Sequence, residues 1–105
     1  MMRILVLTLL ILASAGDAQA AQNPVRHGRA LARELCGSCH AVGLRDRSRH
    51  AGALPLRSLG QRIDLDRLPR MLQRGISAGH PDMPQVKFRE EDARDLRAYL
   101  RSIQR

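Results

Sequence analysis

The clearest alternation of apolar and polar positions lies near the end of the chain. Over residues 90–103, apolar side chains recur at helical spacing. Acidic residues open this segment and arginines lie towards its end, an arrangement that suits the helix macrodipole. The pattern predicts a helix from about Glu90 to Ile103, with a buried stripe of Ala93, Leu96, Tyr99, Leu100 and Ile103.

Two shorter segments also have helical spacing. Residues 26–35 predict a helix with Gly28, Leu31, Ala32 and Leu35 near one face. Another helix is predicted to begin near Asp66, a good N-cap, and to stop around Gly75. Pro69 falls in its first turn, and its apolar positions are Leu68, Met71, Leu72 and Ile76.

The remaining segments are predicted to be irregular, apart from one helical turn over residues 56–62. Residues 41–54 and 77–86 both contain several glycines or prolines, which interrupt regular structure. No segment alternates convincingly as a strand would. The sequence therefore predicts an all-α domain with three to four helices.

The first twenty residues are organised like a secretory signal peptide. A positive start at residues 1–3 precedes an apolar stretch over residues 4–13, and Ala18-Gln19-Ala20 forms a small-x-small cleavage site. Ten helical residues rise about 15 Å, well short of the roughly 30 Å hydrocarbon core. We expect residues 1–20 to be removed on export to the periplasm, which leaves residues 21–105 as one domain without stable membrane insertion. An uncleaved anchor is the alternative.

Residues 36–40 read Cys-Gly-Ser-Cys-His, the attachment string of a c-type haem. Thiols at Cys36 and Cys39 can reach two vinyl groups along one porphyrin edge, and His40 is then held under the iron as proximal ligand. A redox disulfide or half of a zinc site would use the same cysteines. The chain has no third cysteine and no βαβ pattern, so one covalent haem c is favoured.

The predicted mature domain is small and strongly basic. It has 85 residues, Phe88 and Tyr99 are its only aromatic residues, and its formal charge is +8. A chain of this size buries a modest core, so we expect the haem to supply apolar mass and the apoprotein to fold poorly. Export and the lack of an aromatic stacking platform argue against nucleic acid as a partner. Acidic redox proteins are the expected partners of a monomer.

The chain resembles the small class I c-type cytochromes over nearly all of residues 26–105. Gly28 lies eight residues before Cys36, as in the first helix of that family, where glycine permits close crossing by the last helix. Residues 95–100 (Asp-Leu-Arg-Ala-Tyr-Leu) are similar to the family's last helix, with Leu96 and Tyr99 as packing residues. His80-Pro81-Asp82-Met83-Pro84 resembles its methionine loop. The resemblance implies a small cytochrome c fold wrapped around one haem.

Two positions differ from the family pattern. Ala32 stands where the family usually has an aromatic residue, and Leu54 falls where a proline carbonyl accepts a hydrogen bond from the proximal histidine. Leu54 also has a carbonyl, so the contact can be kept. Arg62 matches a residue that pairs with a haem propionate, and a solvated surface arginine is the alternative.

The resemblance implies that Met83 is the sixth iron ligand, 43 residues after His40 and flanked by prolines. Met71 lies on a helical stripe and is expected to pack near the porphyrin. His80 and His50 are the nitrogen candidates for the same position, whereas His27 is expected to face solvent.

With both axial positions filled, the iron suits outer-sphere electron transfer. We therefore expect a one-electron carrier rather than an enzyme, with a basic rim that includes some of Arg45, Arg47, Arg49, Arg74 and Lys87. A dedicated subunit of a dehydrogenase or oxidase is one alternative. An open-site haem sensor or peroxidase is another, if Met83 does not ligate.

Overall fold

In the computed structural model, which describes residues 23–75 and 83–105, helix α1 runs over Pro24–Leu35. It begins two residues before the predicted start because the Asn23 side chain accepts a hydrogen bond from the Arg26 N–H at 3.1 Å. Pro24 also suits the first helical position. Gly28 and Ala32 are the buried residues of this helix, whereas Leu35, predicted on the same face, is exposed.

A 3₁₀ helix over Leu56–Gln61 confirms the predicted helical turn at residues 56–62. Helix α2 follows over Leu68–Arg74 and ends at Gly75, as predicted. Gly75 has a φ of 90°, a backbone conformation that side chains with a Cβ rarely adopt. Ile76, predicted on the stripe of this helix, lies outside the described residues.

Helix α3 runs over Glu90–Ile103, as predicted, and it has an unexpected connection to the start of α2. The prediction that Asp66 caps α2 is wrong, because the N-cap is Arg67 and no side chain caps the helix. The Asp66 carboxylate instead pairs with Arg97 at 3.6 Å and with Arg101. Asp66, which the local sequence predicts to be a cap of α2, therefore joins the segment before α2 to α3.

The apolar core lies where α3 packs against α1, α2 and the 3₁₀ helix. All five residues of the predicted α3 stripe are buried. They form one cluster with Ala32, Leu56, Leu68, Leu72 and Phe88. Within residues 23–75 and 83–105 there is no strand beyond a single-residue bridge at Val86, which confirms the all-α class. In the same residues, no helix has the length and apolar character needed to cross a membrane.

Helices α1 and α3 cross in direct contact at Gly28. A Cβ at this position would overlap the Asp95 carbonyl group and would lie 2.8 Å from the Cβ of Tyr99. The close crossing implied by the resemblance is therefore present. His27, expected to face solvent, is half exposed but forms a hydrogen bond across this crossing, with 2.6 Å between its Nδ1 and the Asp95 Oδ2.

Candidate functional site

The Cys-Gly-Ser-Cys-His string forms a tight turn directly after α1. The Cys36 N–H donates to the Ala32 carbonyl at 2.9 Å and so closes the helix. The N–H groups of Cys39 and His40 then both donate to the Cys36 carbonyl, at 3.2 and 2.8 Å. Both cysteines are free and partly buried. Two thiols and one imidazole therefore share a single turn, as attachment along one porphyrin edge with axial ligation requires.

The Cys36 thiol packs against the apolar core, and burial raises its pKa to about 11. It is therefore protonated at neutral pH, which makes it a weak nucleophile and a weak metal ligand. The attacking cysteine of a redox disulfide needs a lowered pKa, which Cys36 does not have. In the part of the chain that the structure describes, no three His, Cys, Asp or Glu side chains converge on a point that could hold a metal ion.

The His40 ring is oriented by the backbone of Leu54. Its Nδ1 donates to the Leu54 carbonyl oxygen at 2.7 Å. The Leu56 N–H donates to the Ala41 carbonyl at 2.9 Å and ties the same two segments together. With Nδ1 carrying the proton, Nε2 of a neutral ring has a free lone pair and can bind a metal. The structure thus brings together Cys36, Cys39, His40 and Leu54.

The segment from Ala41 to His50 is held by hydrogen bonds, although the sequence predicts only a loop. The Asp46 carboxylate accepts from the N–H groups of Val42 and Gly43 at 3.1 and 2.9 Å. Burial works against ionisation of this carboxyl, but hydrogen bonds from backbone N–H groups and the charge of Arg57 together outweigh it and lower the pKa of Asp46. Arg57 donates to the Asp46 carbonyl at 2.8 Å. A carboxylate and a guanidinium together fix the backbone that follows His40.

The hydroxyl group of Tyr99 makes a further long-range contact to this segment by donating to the Val42 carbonyl. Tyr99 itself is buried in the core. Sequence reasoning placed Tyr99 only in helix packing and missed this contact, because nothing local to residue 99 indicates a partner 57 positions earlier. The last helix therefore supports the backbone that follows the Cys-Gly-Ser-Cys-His turn as well as the core.

Met83 is the first described residue after the gap at 76–82, and it is partly buried. Two residues further on, Gln85 approaches Gly75, and the Phe88 N–H donates to the Leu72 carbonyl at 2.9 Å. The segment that carries Met83 therefore returns to α2. Met71 on α2 is also partly buried, whereas Leu68 and Leu72 on the same helix are fully buried in the core.

The other predicted ligand candidates differ in availability. Nδ1 of His50 accepts a hydrogen bond from the Gly52 N–H at 3.0 Å, so the proton of the neutral ring is on Nε2. His80, the other nitrogen candidate, lies outside the described residues. The Arg62 side chain is exposed and has no ion pair within residues 23–75 and 83–105, so its propionate role stays a prediction.

The donor set fits a covalently held haem. Two thiols that form no disulfide and the imidazole whose Nε2 is left free lie within five consecutive residues. The apolar core contains two aromatic residues, Phe88 and Tyr99. Within the described residues, no large side chain is completely buried. A domain with so limited a core gains stability from a large apolar group attached beside it.

Comparison with protein families gives one relevant finding. The family model described as Cytochrome c matches residues 25–104, which include the turn, helices α2 and α3, all of α1 but its first residue, and Met83. No curated protein and no solved structure matches the chain.

Proposed function

Because the chain belongs to the cytochrome c family, whose domain carries covalently bound haem c and transfers electrons, we propose that it is an exported one-electron carrier of the periplasm. In this proposal Cys36 and Cys39 hold the haem, and His40 and Met83 bind the iron. The mature protein is a monomer that passes electrons between larger redox proteins and transforms no substrate. Haem supplies the iron that gains or loses one electron.

The observation that carries the proposal is the hydrogen bond from His40 Nδ1 to the Leu54 carbonyl, at 2.7 Å. It selects the tautomer in which Nε2 can ligate, and it fixes the orientation of the ring. The carbonyl belongs to a backbone that is itself tied to Ala41. His40 therefore holds its orientation in both oxidation states, which keeps structural rearrangement small during electron transfer.

Met83 is proposed as the second axial ligand because of its partial burial and the return of its segment to α2. A thioether is a soft ligand that favours reduced iron, and it raises the reduction potential relative to a second imidazole. The family resemblance of residues 80–84 supports the same choice. A six-coordinate iron is closed to small ligands, which distinguishes a carrier from the sensor or peroxidase alternative.

The proposed partners are acidic redox proteins, and a basic rim supports this choice. The rim comprises residues that are exposed and form no ion pair in the described part of the chain: Arg45, Arg47, Arg49, Arg74 and Lys87. Unpaired exposed cations extend a positive field into solvent, which steers an acidic partner during diffusion. Transport by the predicted signal peptide at residues 1–20, which lies outside the described residues, would bring the protein to its partners.

An optical redox titration of the purified protein tests the proposal. We expect haem to stay attached after denaturation, a single one-electron transition, and the weak long-wavelength band of methionine-ligated ferric haem. Haem lost on denaturation would contradict attachment through Cys36 and Cys39. A high-spin ferric spectrum without the methionine band would instead support the open-site alternative.

A further inference from the structure

We propose that a cavity between the end of α1 and the segment from Val42 to Arg49 binds a small multivalent oxyanion. The cavity has a volume of about 490 Å³. It is lined by Gly37 and Ser38 of the Cys-Gly-Ser-Cys-His turn and by Arg33, Arg47 and Arg49. It shares His40 with the candidate haem site, but Cys36, Cys39, Leu54 and Met83 do not line it. The cavity therefore adjoins the proposed iron ligand His40 and none of the other residues proposed to hold the haem, and anion binding there does not depend on electron transfer.

Three exposed arginines line this cavity, and none has an acidic partner in the described residues. The arginines that form ion pairs in the described residues are Arg57, Arg89, Arg97 and Arg101. Arg33, Arg47 and Arg49 form none there. A guanidinium presents a planar fork of N–H donors that matches carboxylate and phosphate oxygens, often through two parallel hydrogen bonds. Convergence of three such groups on one cavity favours a ligand with several anionic oxygens.

The wall that carries Arg47 and Arg49 is already ordered. The Ala41 N–H donates to Ser48 Oγ at 3.0 Å, between the two arginines in sequence. Asp46, directly before Arg47, accepts two backbone N–H groups through its side chain, and its carbonyl accepts from Arg57. The backbone therefore loses little conformational entropy when a ligand binds, and this small entropy cost favours affinity.

The charge balance at the cavity remains positive. Asp46 also lines it, but its carboxylate is offset by the two N–H donors and by Arg57 at 3.8 Å. Glu34 is the other acidic lining residue, and it has no partner in the described part of the chain. The carboxyl end of α1 adds about half a negative charge. The three arginine charges exceed the negative charge of Glu34 and of the helix end together. Glu34 is the group that weakens anion binding most.

The volume lies within the range of about 300–1,000 Å³ that is typical of small-molecule sites. Both phosphates and organic polycarboxylates offer the required oxygens. The ligand is therefore defined by its several anionic oxygens, and a phosphate probe and a carboxylate probe distinguish the two sources.

Isothermal titration calorimetry on the holoprotein at low ionic strength tests the site, with pyrophosphate and citrate as probes. We expect saturable one-to-one binding of at least one probe, and a loss of affinity of tenfold or more in Arg47→Gln/Arg49→Gln. The matched control is Arg45→Gln/Arg94→Gln, which removes the same charge from exposed residues that do not line the cavity. The control should change affinity less than threefold, whereas Glu34→Gln should tighten binding severalfold, an effect that damage to the fold would not produce.

The choice of probe identifies the ligand class. Preferential binding of pyrophosphate assigns the site to phosphates, preferential binding of citrate assigns it to polycarboxylates, and equal binding supports a general oxyanion site. Absence of saturable binding would overturn the proposal. It would also be overturned if the control double variant lost as much affinity as Arg47→Gln/Arg49→Gln, because binding would then reflect net charge alone.

Discussion

Nδ1 of His27 lies 2.6 Å from Oδ2 of Asp95, and this hydrogen bond joins the first helix to the last beside their crossing at Gly28. Asp92 lies near the other ring nitrogen, with 3.8 Å between Nε2 and its Oδ1. The hydrogen bond that His27 donates to Asp95 is the main reason why the pKa of His27 is raised above 6.5, and the charges of Asp95, Asp92 and Glu91 add to it. The two ends of the domain are therefore held together by an interaction that is stronger when His27 is protonated.

Replacement of His27 by Gln should destabilise the holoprotein in a pH-dependent way. Because the folded-state pKa is raised, the stabilisation is fully present below about pH 6.5 and is lost as the pH rises through the folded-state pKa. The side chain is 46% exposed, so the expected loss is only about 0.2–1 kcal/mol. Thermal unfolding at pH 5.5 and pH 8.5 measures it, with Asp95→Asn as the partner variant. An equal loss at both pH values would contradict the assignment.

Gly28→Ala should destabilise the protein by about 1–3 kcal/mol, because the new methyl group would overlap the Asp95 carbonyl and force the helices apart. Gly52→Ala is the matched control, since Gly52 is exposed and does not have a positive φ. Chemical denaturation of both variants measures the free energy of unfolding. Two variants of equal stability would show that the crossing does not need glycine.

The sequence predicts the helices better than the contacts between them. The α3 stripe is fully recoverable because helical periodicity is a local signal, and all five of its predicted residues are buried. Asp66 was misassigned because a short acidic side chain before a helix is a common cap, while its partners on α3 lie more than thirty residues away. The early start of α1 depends on Asn23, whose capping role lies just outside the apolar pattern.

In the candidate site, too, the sequence predicts local features better than contacts between elements. Cys36, Cys39 and His40 are identified by their spacing alone, and the Leu54 carbonyl follows from family resemblance. The hydrogen bonds of Asp46, Arg57 and Tyr99 could not be predicted, because they join residues from separate elements and depend on how those elements pack. Side-chain contacts of this kind leave no periodic pattern in the sequence.

Cys36→Ala/Cys39→Ala should abolish covalent haem and leave little folded protein, because the core loses its largest apolar component. Haem staining after denaturing electrophoresis measures attachment, and far-ultraviolet circular dichroism measures helix content. Ser38→Ala, in the same turn, is the control and should retain both. Normal yields of a haem-free double variant with a sharp thermal transition would show that the fold does not depend on haem.

Electron transfer to an acidic redox protein should slow steeply with added salt, because the chain carries a formal charge of +8. Stopped-flow measurement of the second-order rate should cover conditions in which the Debye length falls from about 30 Å to about 8 Å. Arg45→Gln/Lys87→Gln should reduce both the low-salt rate and its salt dependence. A wild-type rate that does not change over this range would contradict the proposed basic rim.

Carbon monoxide binding to the reduced protein tests the proposed ligation by Met83 most directly. A closed six-coordinate iron excludes the gas, so the wild type should bind it weakly or not at all, and Met83→Ala should bind it readily. Met83→His should remain closed and have a lower midpoint potential, since imidazole replaces a thioether. Met71→Leu, which nearly conserves volume, should behave as the wild type does. Ready binding by the wild type, or an open site created by Met71→Leu and not by Met83→Ala, would contradict electron transfer through iron bound by His40 and Met83.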